Sequence, residues 1–248
     1  MLNKVPEVTI FFWIIKIMAT TVGETAADFL NTNLNFGLSN TSIVMGVLLL
    51  VLLIIQMRSK KYVPSIYWGT VVLLSIFGTL ITDNLIDNFG VSLVTTTTIF
   101  SAALFATFAA WYASERTLSI HTIHTSKREF FYWAAILFTF ALGTAAGDLA
   151  AEGMQLGYAT SALIYGGLIG AVTLVYYVFK ANPIAAFWIA YVLTRPFGAS
   201  CGDFLSQSTT NGGLGLGTMG TSVIFLVTIL GLVSYMSMGR KKLIALQK

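Results

Sequence analysis

Eight apolar segments of membrane-spanning length constrain this chain more than any other feature of its sequence. A helix needs about 20 predominantly apolar residues to cross the hydrocarbon core of a bilayer. Segments of that kind occupy most of the chain, and they predict an all-α membrane protein with eight transmembrane helices. We place these helices at residues 8–30, 41–57, 66–87, 92–113, 130–152, 160–179, 183–205 and 218–238.

The composition excludes a soluble protein. The chain is 56% hydrophobic and 10% charged, whereas about 25% of the residues of an ordinary soluble domain are charged. The connections between the apolar segments are too short for a further soluble domain, so we expect residues 1–248 to form a single transmembrane domain. The first segment contains Lys16, Glu24 and Asp28, which the apolar core of a signal peptide would not tolerate, and we expect it to be retained as a helix.

The positions of the basic residues predict the orientation of the chain. Of the 14 lysines and arginines, only Lys16 and Arg195 lie within apolar segments, and the other 12 all lie on one side of the membrane. The positive-inside rule identifies that side as cytoplasmic and places both termini there. Because these residues account for the net charge of +4, we expect contacts with lipid headgroups and no nucleic-acid partner. The residues that mark the cytoplasmic face include Arg58, Lys60, Lys61, Arg116, Lys127, Arg128, Lys180, Arg240, Lys241 and Lys242.

One pattern, Trp-x9-Gly-x4-Asp, occurs four times in the odd-numbered segments, and a plainer apolar segment follows each copy. Each copy therefore belongs to a two-helix unit, and two crossings return the chain to the same side, so all units have the same orientation. We predict four parallel repeats, in a pseudo-fourfold or a paired-repeat bundle, at residues 8–61, 62–128, 129–182 and 183–240. The patterned residues are Trp13, Gly23 and Asp28; Trp68, Gly78 and Asp83; Trp133, Gly143 and Asp148; and Trp188, Gly198 and Asp203.

With this pattern, the chain resembles a family of bacterial integral membrane proteins that consist of four tandem two-helix repeats with a characteristic tryptophan in each. The likeness extends over almost the whole chain. It implies the architecture described above and a multi-pass protein of the bacterial plasma (inner) membrane. The family is one of unknown function, so the resemblance implies no substrate.

The repeated tryptophans and glycines are expected to have structural roles. At 100° and 1.5 Å per residue, the tryptophan and the aspartate of one copy lie on nearly the same helix face, near opposite membrane surfaces. We expect the four tryptophans to form an aromatic belt at the cytoplasmic interface, with each indole N–H in contact with water. The four glycines are expected to permit close approach between helices.

Acidic residues are concentrated in the outer part of the odd-numbered segments, which contain seven of the ten aspartates and glutamates. Three pairs are spaced i, i+4, which places both carboxylates of a pair on one helix face. Ionisable residues within a bilayer usually face a bundle interior or a water-filled cavity and are functional candidates. We therefore predict an acidic ring or vestibule near the outer face that binds cations or exchanges protons. Its residues are Glu24, Asp28, Asp83, Asp87, Asp148, Glu152 and Asp203.

Two interpretations of the repeated aspartates remain open. Each could bind a ligand directly, or it could accept hydrogen bonds from backbone N–H groups at the start of the following helix. Charged residues that are not matched in every copy favour function over architecture. They are Lys16, Glu24, Asp87, Glu152 and Arg195. We expect the two basic residues among them to be internal counter-ions of the acids or to bind an anion.

These observations predict a transporter or channel for a small cation, such as a divalent metal, with proton coupling through the carboxylates. Oxygen ligands suit Mg, Ca, Mn or protons more than soft metals, but the acids do not specify which metal they bind. The alternatives are a proton-linked carrier of a small organic anion that uses Lys16 and Arg195, and a non-transporting membrane scaffold. We expect no cofactor and no enzymatic activity, because no hydrolytic triad or zinc motif lies in the helices. The sequence leaves open whether copies of the chain form a homo-oligomer.

Overall fold

The chain passes back and forth through long helices joined by short links. The computed structural model describes residues 3–246 and the side chains of residues 3–238, so the side chains of Arg240, Lys241 and Lys242 lie outside the described part. Eight described helices are long and apolar enough to cross a membrane, and the described residues contain no strand, which confirms the predicted all-α membrane fold. The helices are α1 (Ile10–Asp28), α2 (Leu38–Arg58), α3 (Pro64–Asp83), α4 (Leu93–Glu115), α5 (Ser126–Asp148), α6 (Tyr158–Phe179), α7 (Pro183–Ser206) and α8 (Thr218–Leu246).

Helices α1, α3, α5 and α7, the first helices of the repeats, form an inner ring. Each packs along the next, and α7 closes the ring against α1. In the membrane-spanning part of these helices, 50–67% of the residues are buried inside the protein. The corresponding share is 0–22% in α2, α4, α6 and α8, which we call the peripheral helices. The sequence predicted either a pseudo-fourfold or a paired-repeat bundle. The closed ring of four inner helices corresponds to the pseudo-fourfold bundle.

The peripheral helices do not mainly cover the inner helix of their own repeat. Instead, α2 packs along α3, α4 along α5, and α6 along α7, while α8 packs along α1. Each repeat therefore contributes its second helix to the following repeat, and the last repeat completes the first. This exchange links the repeats to one another, since a single two-helix unit cannot bury its own inner helix.

A repeated glycine lies at each crossing between neighbouring inner helices. A Cβ atom at Gly78 would lie 2.7 Å from Phe140 Cβ and 3.1 Å from the backbone nitrogen of Ala141. Small residues permit such close approach in membrane bundles, and a larger side chain would force the two helices apart. The crossings pair Gly23 with Ser75, Gly78 with Phe140, Gly143 with Arg195, and Gly198 with Thr20.

The repeated tryptophans do not form an interfacial belt with their indole N–H groups in water, and that prediction is wrong for at least three of them. Trp68, Trp133 and Trp188 are only 1–5% exposed, and Trp13 is partly buried. The reason is that each tryptophan packs on the aromatic residue that precedes the tryptophan of a neighbouring inner helix. We call these contacts the aromatic layer; they pair Phe12 with Trp68, Tyr67 with Trp133, Tyr132 with Trp188, and Phe187 with Trp13.

Candidate functional site

The seven acids singled out from the sequence line one cavity inside the inner ring. This acidic cavity has a volume of about 460 Å³ and lies at the end of the bundle opposite the basic links. Its other polar lining includes Asn31, Thr32, Gln207 and Thr218. The acids brought together are Glu24, Asp28, Asp83, Asp87, Asp148, Glu152 and Asp203.

The acidic cavity leads from an exposed mouth to a buried floor. Asp87 and Glu152 at the mouth are exposed, whereas Glu24 at the floor is 6% exposed. The four repeated aspartates occupy the same position in parallel copies and lie below the mouth, and two of them, Asp148 and Asp203, reach Glu24 at the floor. Among these four, Asp203 is buried, at 7% exposure, and the other three are partly exposed.

A π-helical turn follows the repeated aspartate in three of the four repeats. Each turn begins at the residue after the aspartate; the turns are Phe29–Asn33, Asn84–Asn88 and Leu149–Gly153. In the fourth repeat, α7 remains α-helical from Asp203 to Ser206. Short π-helical turns are rare and occur frequently at functional sites. The backbone that follows Asp203 is therefore α-helical, whereas a π-helical turn follows each of the other three aspartates. The repeat pattern did not predict this difference.

The repeated aspartates do not anchor the helices that follow them. Helices α2 and α6 begin after Gly37 and Gly157 without a side-chain cap, and Ser92 is the residue that caps α4. Within residues 3–238, the carboxylates of the four repeated aspartates take part in no hydrogen bond and no ion pair. The helix-start interpretation is therefore wrong for the helices whose caps are described, and these carboxylates remain available to the cavity.

Arg195 lies beneath the acidic cavity, where it joins the inner helices. It is fully buried, and its Nη2 atom lies 3.0 Å from Glu24 Oε2. The same nitrogen donates to the hydroxyl of Thr144 at 2.7 Å and to the hydroxyl of Thr79. One guanidinium thus contacts a side chain from each of the other three inner helices. Among the described acids of the cavity, Glu24 is the one that it pairs with.

Lys16 is not a counter-ion of the acids, and that prediction is wrong. Its Nζ atom donates to Thr194 Oγ1 at 3.3 Å and lies 4.4 Å and 4.3 Å from the ring centroids of Phe140 and Tyr191. No carboxylate of the described side chains pairs with it. The reason is depth, because Lys16 precedes Glu24 by about 12 Å along α1 and lies on the far side of Arg195 from the cavity.

Three carboxylates converge at the floor of the acidic cavity. Glu24, Asp148 and Asp203 each offer one oxygen, and these oxygens all lie within 4.8 Å of one another. We call these residues the floor carboxylates. Oxygen ligands at such spacing suit a hard cation such as Mg²⁺ or Ca²⁺. The described residues that line the cavity include no histidine or cysteine, the ligands that softer metals prefer.

Buried side chains of the described residues fill the opposite end of the inner ring. The aromatic layer fills the interior, where the hydroxyls of Tyr67 and Tyr132 are hydrogen-bonded to each other. At the basic end, Lys4 Nζ lies 2.6 Å from Glu129 Oε2, and Gln56 donates to the other carboxylate oxygen at 3.2 Å. The sequence analysis did not identify this cluster. Glu129, an acidic residue in the first turn of α5, was the sequence feature that could have indicated it. Among the described residues, the acidic cavity is therefore open toward one end of the bundle.

A family profile described as Repeat of Unknown Function (DUF347) matches the chain four times, at residues 11–62, 66–117, 131–182 and 186–241. Each match begins in an inner helix and ends near the end of the following peripheral helix, so the matches coincide with the two-helix units. Neither a curated protein nor a solved structure matches the chain.

Proposed function

Since this chain belongs to the family of proteins built from the DUF347 repeat, whose description states no activity, we propose its function from the acidic cavity. The protein moves a small cation across the membrane through that cavity, with protons exchanged at the carboxylates. The observation that carries this proposal is a set of four repeated aspartates that line the cavity and have no bonding partner among the described residues. Such groups are costly within a membrane and usually mark an ion or proton pathway.

The charge of the acidic cavity supports a cation as the substrate. Seven carboxylates line the cavity, and among the described side chains only Arg195 forms an ion pair with any of them. Two like charges about 4 Å apart repel by about 4 kcal/mol at an effective dielectric constant of about 20. Cations or protons must therefore enter the cavity to balance its charge, and an arriving cation would displace protons that neighbouring carboxylates share.

The closed basic end favours a gated carrier over an open channel. A cation at the floor of the cavity meets Arg195 first, then the aromatic layer, and then the ion pair between Lys4 and Glu129. Passage to the other side requires the inner helices to rearrange, as in transporters that expose a central site to each side in turn. A channel of fixed structure would need a continuous opening through these layers.

We place the acidic cavity at the outer face of a bacterial plasma membrane. Apart from Lys16 and Arg195, the described lysines and arginines lie at the basic end, in the segment before α1 or in or beside the links at that end. The positive-inside rule identifies that end as cytoplasmic. Both chain termini then lie in the cytoplasm, and the cavity receives its cation from outside.

The other two functions suggested by the sequence have less support. An organic anion would have to pass the acids of the cavity to reach Arg195, and that guanidinium is already paired with Glu24. A scaffold whose aspartates only anchor helices is disfavoured, because α2 and α6 begin without a side-chain cap.

Removing one negative charge from the cavity should slow cation transport. We expect Asp148→Asn and Asp203→Asn each to lower the initial rate of cation uptake by reconstituted vesicles about tenfold or more, the equivalent of about 1.4 kcal/mol. Asparagine keeps the shape of the side chain but loses the charge that attracts the cation. Uptake is measured separately for Na⁺, K⁺, Mg²⁺, Ca²⁺ and Mn²⁺, with an internal pH indicator to follow protons.

The matched control for these variants is Glu7→Gln, which removes an exposed acid from outside the cavity. Its uptake rate should equal that of the unaltered protein. Full uptake of every cation tested by both aspartate variants, each shown to be folded, would exclude the proposed function.

Cysteine labelling tests the proposed orientation. In a Cys201→Ala background, Phe89→Cys places a thiol in the link between α3 and α4, where Phe89 is 74% exposed. His121→Cys places one in the link between α4 and α5, at a residue that is also exposed. A membrane-impermeant maleimide should label the first variant in intact spheroplasts and the second only after lysis. The background alone should remain unlabelled, and the reverse pattern would place the cavity in the cytoplasm.

A further inference from the structure

We propose that Glu24, Asp148 and Asp203 together bind one hard divalent cation at the floor of the acidic cavity. This inference rests on the proposed function, for which it names the substrate class. The three side chains come from α1, α5 and α7, and one oxygen of each lies within 4.8 Å of the others. Two oxygens bound to the same ion at about 2.1–2.6 Å lie at most about 4–5 Å apart. The observed spacing therefore suits ligands of a single ion.

Asp203 supplies an observation that is independent of the clustering of acids. It is more than nine-tenths buried, at 7% exposure, and its carboxylate takes part in no hydrogen bond or ion pair within the described residues. A buried carboxylate without a partner is costly unless a proton or a cation neutralises it. Because Asp203 lines the acidic cavity, that partner must reach it from the cavity.

Charge balance favours a divalent ion over a monovalent one. The floor carboxylates carry up to three negative charges, and Arg195 Nη2 lies 3.0 Å from Glu24 Oε2. The other oxygen of Glu24 accepts no hydrogen bond from the described residues, so it remains free to bind a cation. A divalent cation together with the guanidinium neutralises the three carboxylates, whereas a monovalent cation leaves one charge unbalanced.

The ligand set narrows the class of ion further. All three side chains offer carboxylate oxygens, and no histidine or cysteine of the described part of the chain lines the cavity. Such oxygen donors favour Mg²⁺, Ca²⁺ or Mn²⁺ over Zn²⁺ or Cu²⁺. Arg195 lies directly beneath the site, where it repels the bound cation and keeps it from moving deeper while the basic end is closed.

The experiment measures Mn²⁺ binding to the purified full-length protein by electron paramagnetic resonance, which detects free Mn²⁺. We expect one site per chain, from which Mg²⁺ or Ca²⁺ displaces Mn²⁺ and a large excess of Na⁺ does not. Asp148→Asn and Asp203→Asn should each raise the Kd for Mn²⁺ about tenfold or more. Glu24→Gln provides a third variant if one of the aspartate variants fails to fold.

The matched control is Asp87→Asn, which removes the same charge from the exposed mouth of the same cavity. Because solvent screens that position, we expect it to raise the Kd by less than about threefold. If Asp87→Asn raised the Kd for Mn²⁺ as much as Asp203→Asn does, the proposed site would be overturned, because the cation would then be attracted by the total negative charge of the cavity. Binding as tight as that of the unaltered protein in folded Asp148→Asn and Asp203→Asn would overturn it as well, and so would displacement of Mn²⁺ by Na⁺.

Binding and transport measurements separate this inference from the proposed function. Mn²⁺ binding at the floor carboxylates without uptake of any cation by vesicles would support the site and overturn transport. Uptake of a monovalent cation without Mn²⁺ binding would support transport and overturn the site.

Discussion

Gly78→Leu should prevent the inner helices from closing into a ring, so that little folded protein is recovered. A Cβ atom at Gly78 would lie 2.7 Å from Phe140 Cβ and 3.1 Å from the backbone nitrogen of Ala141. Neither atom belongs to the end of a flexible side chain, so α3 and α5 would have to separate. Extra methylene groups in a packed core typically cost about 1–3 kcal/mol, and leucine adds a whole side chain at a backbone contact. The measurement is the monodisperse fraction on size-exclusion chromatography in mild detergent.

The matched control is Gly170→Leu, in the peripheral helix α6. Apart from the neighbouring backbone of α6 itself, no described atom lies within 4 Å of a Cβ at Gly170, and the residue is exposed on the surface of the bundle. We expect this variant to elute like the unaltered protein, and Gly78→Ala to lie between the two leucine variants in recovery. Equal recovery of Gly78→Leu and Gly170→Leu would show that the glycine crossing does not hold the ring together.

The membrane helices and the pseudo-fourfold ring follow from properties that a sequence records directly. The apolar segments had to be helices that cross a bilayer, and two helices per repeat had to give parallel copies. Gly23 and its counterparts lie at the crossings because parallel copies place the same position at each contact. The packing of each peripheral helix on the following repeat was not predictable, since a two-helix unit that folds on itself has the same sequence pattern.

The tryptophan prediction was wrong because it treated each helix separately. A tryptophan near the end of one isolated helix fits a membrane interface. In four parallel helices the aromatic residue before each tryptophan, such as Phe12 or Tyr67, meets the tryptophan of a neighbour. That preceding aromatic residue is itself repeated in the sequence, and comparing neighbouring copies would have revealed the aromatic layer.

The acids of the cavity were predictable because charge is rare in these segments and recurs at one position of the repeat. The differences in backbone conformation and burial among the four repeated aspartates were not predictable. Asp203 occupies the same repeat position as Asp28, yet α7 has no π-helical turn after it, and it is more deeply buried. Lys16 and Arg195 both lie within apolar segments, but only a three-dimensional structure places Arg195 against Glu24 and leaves Lys16 on the far side of it.

Arg195→Gln should destabilise the protein strongly, and Glu24→Gln should restore much of the loss. Removing the guanidinium leaves Glu24 as a buried charge, with Thr79 as its remaining partner among the described residues. Removing one partner of a buried ion pair typically costs about 3–5 kcal/mol, and we expect the lower end because water in the cavity reaches the carboxylate. In the double variant no buried charge remains at this position, so its unfolding temperature should lie above that of Arg195→Gln. Thermal unfolding is followed by the fluorescence of the protein's five tryptophans.

Lys16→Met is the comparison that distinguishes the loss of an ion pair with Glu24 from the loss of a buried cation as such. Lys16 is as fully buried as Arg195, but it contacts Thr194 and two aromatic rings and no carboxylate of the described residues. Adding Glu24→Gln to Lys16→Met should therefore give the sum of the two separate effects, since sites without a shared partner usually act additively. Additive effects of Arg195→Gln and Glu24→Gln as well would mean that the ion pair does not hold the floor of the cavity. Rescue confined to the Arg195 variant would identify Glu24 as a charge that is tolerated only beside a cation, which is the property that the proposed binding site requires of it.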